Sequence, residues 1–184
     1  LRLIDSGSGL TTLTEHRQDF PYTGAIAGTR VTRNDTGQTV RSTSAEFSLL
    51  PISSPGVYLA VRDSRTQTRH SGGRASFRLK KSFTHDRFGN VVMITDSGDT
   101  RAGDPVIYTC TRYSNDKTAW RMGYPIGHKI SANAKSCSNF QSWSQKYDAS
   151  WSKQGYDSRQ NITSSAGYLA QGDSPGWISE TFEH

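Results

Sequence analysis

The stretch that decides the fold is residues 85–91, which read H-D-R-F-G-N-V. An aspartate side chain hydrogen-bonds its own backbone, and a glycine accepts a positive φ angle, so Asp86 and Gly89 predict a tight turn. Residues 75–85 before the turn separate into two faces, and residues 91–95 after it are rich in β-branched side chains. Because such patterns are typical of strands, this stretch predicts a β-hairpin.

Two further stretches repeat parts of this frame. Residues 34–40 read N-D-T-G-Q-T-V, and residues 156–162 read Y-D-S-R-Q-N-I. In each, an aspartate opens a turn between two strand-like patterns. The residues expected to shape the three turns are Asp35, Gly37, His85, Asp86, Phe88, Gly89, Asn90, Tyr156, Asp157 and Asn161. Repeated hairpins build a sheet that grows unit by unit, so the sequence predicts an all-β fold of antiparallel hairpins.

The composition agrees with this fold class. Hydrophobic residues make up 33%, aromatic residues 10%, and 17 residues are glycine, which suits short strands with a solvated face better than a helical bundle. Aromatic residues occur along the whole chain, which argues against disorder. A helical turn is predicted only at residues 115–122. The other predicted strands are residues 57–61, 106–113, 124–131, 140–147, 161–165 and 177–182, with loops at 51–56 and 96–104.

The net charge of +6 is spread along the chain, with a pI near 9.5. Apart from the adjacent Lys80 and Lys81, the basic residues lie several positions apart among Ser and Thr. This pattern indicates solvated strand faces rather than a nucleic-acid site, so no nucleic-acid partner is predicted. No apolar run approaches 18 residues, so no membrane span is predicted in this segment.

Two cysteines, Cys110 and Cys137, stand 27 positions apart. One disulfide between them is possible, but two cysteines alone do not fix the redox compartment. They lack the C-x-x-C pairing of a zinc site. Free core or loop thiols are the favoured interpretation.

Two patterns suggest a catalytic or a metal site, and a simple turn is the favoured interpretation of both. Gly-Asp-Ser at 172–174 is similar to the nucleophile turn of chymotrypsin-like proteases, but no histidine stands in a matching setting, so a turn is favoured and no catalytic residue is predicted. Asp96, Asp99 and Asp104 could hold Ca²⁺ through their carboxylates. Their spacing does not fit an EF-hand, so a solvated turn is favoured, and neither metal nor cofactor is predicted.

Aromatic side chains could form a stacking surface for sugars or bases. More often such residues form cross-strand pairs and core, which is the interpretation favoured here. The residues considered are Tyr22, Tyr58, Tyr108, Tyr113, Tyr124, Trp120, Trp143, Trp151 and Trp177.

The turn frame and one upstream phrase resemble a known family. Y-D-x-x-G-N-V resembles the signature of Rhs/YD-repeat proteins, although this chain has His85 for the usual tyrosine and Gln160 for the glycine. Residues 14–43 are similar to the linker region in the B-type component of Tc-like insecticidal toxins and related plasmid-virulence proteins. There the chain passes toward the repeats through a Q-D-F-P-Y-x-G phrase. The residues of this phrase here are Gln18, Asp19, Phe20, Pro21, Tyr22 and Gly24.

The resemblance implies a domain organisation and a function. Residues 1–50 would be a linker region leading into the repeats, and residues 51–184 would be YD-type hairpin repeats, cut within a repeat because T-F-E-H at 181–184 matches S-F-T-H at 82–85. The whole would be a secreted shell of spiralling hairpins that encloses and delivers a toxic C-terminal segment. Its partners would be the remainder of the same shell, other toxin-complex components and the enclosed segment.

Under this interpretation the segment is structural and not enzymatic. The alternative is a β-rich adhesion or carbohydrate-binding module of a secreted protein that uses the aromatic set. A third hypothesis is a hydrolase centred on Ser174.

Overall fold

Long strands joined by short turns dominate a computed structural model of the chain. The structure describes residues 2–5, 8–51, 58–118, 121–142, 144, 146–169 and 176–182. These residues form twelve β-strands and one short helix. The predicted all-β class with antiparallel hairpins is therefore confirmed.

The chain divides into two compact units, residues 1–83 with 96–105 and residues 84–95 with 106–184. In each unit, strands that follow one another along the chain are hydrogen-bonded neighbours in the sheet. This order is what successive hairpins produce, because each turn returns the chain beside the strand it has just left. The predicted boundary between a linker and the repeats at residue 50 stays a prediction.

The first unit is a sheet in which one hairpin is much longer than the others. Antiparallel pairing between β4 (Thr39–Pro51) and β5 (Tyr58–Ser71) extends from Arg41 opposite Arg69 to Pro51 opposite Tyr58. Residues 52–57 lie outside the described residues. Pro51, the one described residue of the predicted loop at 51–56, belongs to the end of a strand instead. The predicted strand at 57–61 was much too short. The strands are β1 Arg2–Asp5, β2 Leu10–His16, β3 Ile26–Arg33, β4 Thr39–Pro51, β5 Tyr58–Ser71 and β6 Arg74–His85, with the end of β7 Val91–Asp99.

The apolar core of the first unit is thin. Among its described residues the buried apolar side chains are Val31 and Val61. Polar pairs connect neighbouring strands instead: the Ser64 hydroxyl donates to Glu46 at 2.7 Å, and the hydroxyls of two threonines on β3 and β4 lie 2.6 Å apart. Such cross-strand contacts support a sheet whose faces are largely solvated.

The predicted loop at 96–104 is wrong in extent, because β7 continues through Asp99. The Asp99 carboxylate accepts hydrogen bonds from the backbone N–H groups of Arg78 and Arg101, each at 3.0 Å. The backbone N–H of Asp99 donates to the Asp104 carboxylate at 2.8 Å. Asp99 therefore bonds both the neighbouring strand β6 and the turn that follows β7. These bonds extend β7 into a polar sequence.

The second unit contains the start of β7 and five further strands. A five-residue helix stands where no helix was predicted, and Asn133 caps it by accepting from the backbone N–H of Ser136 at 3.1 Å. The predicted helical turn at 115–122 is wrong wherever the structure describes it. Residues 115–116 and 121–122 belong to strands and residues 117–118 form a turn, while residues 119 and 120 lie outside the described residues. The elements are β8 Ile107–Asp116, β9 Arg121–Ser131, α1 Ala134–Ser138, β10 Asp148–Tyr156, β11 Ile162–Leu169 and β12 Gly176–Thr181.

The strand predicted at 140–147 is also wrong. The described residues of this stretch form turns, and the strand begins at Asp148. The physical reason is that backbone groups here bond one another and a buried side chain instead of a neighbouring strand: the N–H of Tyr147 donates to the Ser144 carbonyl at 3.1 Å. Among the described residues, no helix is both long and apolar enough to cross a membrane.

Candidate functional site

The turn between β6 and β7 is built around the carboxylate of Asp86. Its Oδ1 accepts hydrogen bonds from the backbone N–H groups of Phe88 at 2.8 Å and Asn90 at 3.0 Å, and its Oδ2 accepts the Asn90 side-chain amide at 2.9 Å. The N–H of Gly89 donates to the Asp86 carbonyl at 3.0 Å. Gly89 has φ +85°, a conformation that side chains other than glycine rarely adopt. His85, the last residue of β6, leads into the turn.

The turn between β10 and β11 has the same hydrogen bonds without the glycine. Asp157 Oδ1 accepts from the N–H groups of Arg159 at 2.8 Å and Asn161 at 2.9 Å, and Oδ2 accepts the Asn161 amide at 3.0 Å. Gln160 occupies the glycine position with φ +74°. Its side-chain carbonyl accepts a hydrogen bond from the Tyr124 hydroxyl. The aspartate and the asparagine, not the glycine, are therefore what the two turns share.

Tyr156 places its ring beside this second turn. The ring meets Tyr124 edge to face with centroids 5.3 Å apart, and its hydroxyl donates to the Pro125 carbonyl at 2.9 Å. Burial, followed by the nearby Tyr124 hydroxyl, raises the pKa of Tyr156. The ring therefore connects β9 to β10 immediately before the turn.

The turn at 34–37 belongs to a different type. Asp35 accepts only local bonds, from the backbone N–H of Thr36 at 2.8 Å and from its hydroxyl. Gly37, with φ +66°, closes the turn by donating its N–H to the Arg33 carbonyl at 2.9 Å. No asparagine follows Gly37, so nothing bonds the second carboxylate oxygen in the manner of the other two turns.

Asp86 also connects its turn to the β8–β9 hairpin. The Asn115 side-chain amide donates to Asp86 Oδ2 at 3.3 Å, and Asn115 Oδ1 accepts the backbone N–H of Gly123 at 2.8 Å. Burial by itself would raise the pKa of Asp86, but the hydrogen bonds from Asn90, Phe88 and Asn115 outweigh it and lower that pKa. The charged carboxylate is thus the form that the turn stabilises.

The phrase at 18–24 forms the connection between β2 and β3. Arg17 pairs with Asp19, which lowers the pKa of that carboxyl, and the Arg17 guanidinium lies 4.5 Å from the Tyr22 ring centroid. The Tyr22 ring packs against Phe47 of β4 at 6.2 Å. Tyr22 therefore fastens the connection to the sheet.

The remaining residues of the phrase shape its backbone. The peptide bond between Phe20 and Pro21 is cis, and the Phe20 side chain is 91% exposed. Gly24 donates its N–H to the Arg17 carbonyl at 2.9 Å, and the Gln18 amide donates to the carbonyl of His16 at 3.4 Å. The phrase thus presents one large ring to solvent.

A segment that sequence reasoning missed lies on the sheet of the second unit; we call its described residues, 132–142, 144, 146 and 147, the docked segment. Cys137 of α1 is disulfide-bonded to Cys110 of β8, with Cα atoms 5.7 Å apart. The favoured interpretation of free thiols was therefore wrong, because the fold brings both buried cysteines together across a 27-residue separation.

Lys129 of β9 forms the second attachment. Its side chain is fully buried, and its Nζ donates to the backbone carbonyls of Ser136 at 3.0 Å, Asn139 at 2.9 Å and Ser142 at 2.6 Å. The same nitrogen lies 2.7 Å from Oδ2 of Asp148, which is also fully buried. These partners satisfy an ammonium group, so Lys129 serves as an internal cation around which the segment folds.

Asp148 balances that charge. Its carboxylate accepts the Ser136 hydroxyl at 2.8 Å and the backbone N–H of Ser144 at 2.7 Å in addition to Lys129. Burial would raise the pKa of Asp148, but the bonds from Lys129, Ser131 and Ser136 lower it. No sequence pattern announced this pair, since an isolated lysine in a strand reads as a solvated side chain.

Phe140 of the docked segment fills the space above Gly127. A Cβ atom on Gly127 would lie 3.0 Å from Phe140 Cδ1 and 3.1 Å from Cε1. Because a real side chain would displace the ring, the absence of one at Gly127 allows the segment to lie against the sheet. Beside the segment is an open cavity of about 640 Å³ that Val92, Met93 and Arg112 help to line.

Next to the docked segment three rings form a cluster. Trp151 and Trp177 meet edge to face with centroids 4.6 Å apart, and Tyr168 lies 5.9 Å from Trp151 and 5.5 Å from Trp177. Lys153 places its Nζ 4.6 Å and 4.2 Å from the two tryptophan centroids. Trp151 is buried and Trp177 is 37% exposed, so the cluster is partly core and partly surface. Trp120 and Trp143 lie outside the described residues.

Two sequence patterns suggested a catalytic serine and a calcium site. Ser174 lies outside the described residues, so the absence of hydrolase chemistry stays a prediction. The carboxylates of Asp96, Asp99 and Asp104 are bonded to the Lys81 ammonium or to backbone N–H groups. Within the described residues, no group of three or more His, Cys, Asp or Glu side chains is placed to hold a metal ion.

No protein-family model matches the chain, and no curated protein matches it. The function is therefore argued from the residues described above.

Proposed function

We propose that this chain is a wall segment of a secreted shell built from Rhs/YD-type hairpin repeats, which encloses and delivers a toxic segment. The observation that carries the proposal is the recurrence of one turn. In the hairpins at residues 86–90 and 157–161, the aspartate carboxylate accepts the same hydrogen bonds: the backbone N–H groups of the second and fourth following residues and the side-chain amide of the fourth. A repeated hairpin is the unit from which such a wall would grow.

The sheet of the first unit supports a wall rather than a packed globule. Globular domains cover one or both faces of a sheet with a second layer. Within the described residues no helix lies on this sheet, and its buried apolar side chains are two valines. A sheet with so few buried apolar side chains suits a partition between two aqueous spaces.

The connection at 18–24 supports the same proposal. Tyr22 and Arg17 fasten it to the sheet while Phe20 remains exposed. Aromatic residues are enriched where protein surfaces meet, so an exposed ring on a fastened loop is suited to contact with another part of the assembly. In the proposed shell, its partner would be the remainder of the shell or another toxin-complex component.

The test uses the full-length gene product. We expect electron microscopy to show a hollow particle, with a C-terminal segment that resists trypsin until the particle is denatured. Asp86→Ala with Asp157→Ala removes both turn carboxylates and should make that segment sensitive. The matched control is Asp35→Ala, whose carboxylate bonds only Thr36. A solid particle, or a C-terminal segment cut as fast as in denatured protein, would contradict the proposal.

A second candidate is a carbohydrate-binding module, and the half-exposed ring of Trp177 with the nearby Lys153 favours it. Exposed rings are surfaces on which apolar faces of a ligand can stack. Binding to a glycan array that Trp177→Ala abolishes would support this candidate. Full retention of binding in that variant would contradict it.

A further inference from the structure

At two places in the first unit, two cationic residues stand directly opposite each other on neighbouring strands. Arg41 of β4 is opposite Arg69 of β5, and Arg65 of β5 is opposite Lys81 of β6. All four side chains are exposed. Arg65 and Arg69 are four residues apart on a regular part of β5, so they project from the same face. We call these residues the cationic rows.

The charges of the cationic rows are largely uncompensated. Like charges directly opposite across a sheet destabilise it. Lys81 pairs with Asp96 at 2.8 Å, but within the described residues no ion pair or side-chain hydrogen bond is made by Arg41, Arg65 or Arg69. The sheet keeps an arrangement that an anionic partner would stabilise.

We propose that the cationic rows bind an acidic polypeptide segment in extended conformation, lying along the strands. The two positions on β5 are four residues apart, or about 13 Å at the usual rise of a strand. An extended peptide projects its residues i and i+4 from one side at the same spacing of about 13 Å, so acidic side chains at these positions reach both rows at once. An extended acidic peptide therefore matches the cationic rows both in charge and in spacing.

The residues between the rows favour a peptide over a nucleic acid. Thr43 and Gln67 face each other there, and Leu79 stands opposite Gln67. The polar pair offers hydrogen bonds to a polypeptide backbone. Single-stranded nucleic acid would need a series of rings on which successive bases could stack. One ring, Phe77 opposite Arg69, lies in the cationic rows, and the three positions between them provide none.

The inference goes beyond the wall function, and its test is independent of enclosure. Fluorescence anisotropy of the whole chain at low salt would compare two labelled 16-residue peptides of equal composition. In one, four glutamates stand four positions apart among serine and threonine; in the other, four glutamates stand three positions apart, which sends successive carboxylates to opposite sides. We expect at least fivefold tighter binding of the first peptide, weakening as salt is added.

Variants with matched charge changes locate the site. Arg41→Glu with Arg69→Glu should weaken binding at least tenfold. The control is Arg30→Glu with Arg78→Glu, an equal charge change on the opposite face, since these residues lie in the row through Ser42 and Thr68. The control should retain binding within twofold. Thermal melts identify any variant that fails to fold, and Arg41→Gln with Arg69→Gln is then used instead.

Several results would overturn the inference. Equal binding of the two peptides would remove the spacing argument. Equal loss of binding in the two double variants would show attraction to net charge alone. Tighter binding of a sulfated oligosaccharide or a single-stranded oligonucleotide of the same charge would assign the surface to another class of partner.

Discussion

The two units of this molecule use one hairpin architecture and stabilise it in different ways. The first unit relies on long strand pairing and polar cross-strand bonds around two buried valines. The second unit adds the docked segment, fixed by a disulfide, by the buried pair of Lys129 and Asp148, and by Phe140 above Gly127. A repeated sheet thus acquires a local second layer in one unit and remains open in the other.

This difference predicts where the stability of each unit lies. All four tryptophans belong to the second unit, so tryptophan fluorescence reports that unit, while hydrogen exchange in β4 and β5 reports the first. A change that damages one unit should leave the signal of the other in place. Each prediction below uses this separation.

The largest effect is expected from Lys129→Met. This change leaves the Asp148 carboxylate buried without its cation, and breaking a buried pair in this way typically costs about 3–5 kcal/mol. A urea melt followed by tryptophan fluorescence measures the free energy of unfolding. Lys135→Met is the control, because that lysine is exposed and its substitution should cost less than about 1 kcal/mol. Equal losses of unfolding free energy in the two variants would show that the buried pair of Lys129 and Asp148 does not stabilise the unit.

Removal of the disulfide by Cys110→Ala with Cys137→Ala ranks second. Loss of a native cross-link typically costs about 2–4 kcal/mol. Hydrogen exchange should rise across the docked segment, since α1 then lies on the sheet without its covalent tie. Faster exchange in β4 and β5 as well would contradict the separation of the two units.

Gly89→Val should have a smaller effect on the second unit. A β-branched residue at φ +85° is strained, and such positions cost about 1–3 kcal/mol. Gly89→Gln is the matched control, because Gln160 adopts the same conformation in the other turn. We expect a lower thermal midpoint for the valine variant than for the glutamine variant. Identical midpoints would mean that the turn does not require a positive φ.

The smallest effect is expected in the first unit, from Val61→Ala. Removing two methyl groups from a buried valine costs about 1–2 kcal/mol. The loss should appear as faster hydrogen exchange in β4 and β5, with the tryptophan melt unchanged. A shift of the tryptophan melt instead would show that the thin core supports both units.

Much of the fold followed from local chemistry in the sequence. The aspartate, glycine and asparagine of residues 86–90 determine a turn by bonds among themselves, so a short window contains the information. The docked segment was missed for the opposite reason. Its attachments join Cys137 to Cys110 and Lys129 to carbonyls up to 13 positions away, and no periodicity records such contacts.

The candidate surfaces divide in the same way. The glycine at position 89 predicts a turn, yet Gln160 takes a positive φ at the matching position because Asp157 and Asn161 hold the backbone around it. The opposition of Arg41 and Arg69 depends on strand register, which no single strand contains. Scattered charge in the sequence became paired charge only when the strands were aligned.

The docked segment has a consequence for how this chain can change over generations. Its two ends meet, because the N–H of Ala132 donates to the carbonyl of Tyr147 at 2.7 Å and Ser131 stands opposite Asp148. A loop with joined ends can be exchanged without shifting the register of the strands it connects. Without the loop, however, the sheet residues beneath it would lose their partners: Cys110 would lose its disulfide, and Lys129 would lose the three backbone carbonyls that it bonds. We expect homologues to gain or lose the loop, the half-cystine and the lysine as one inherited cassette.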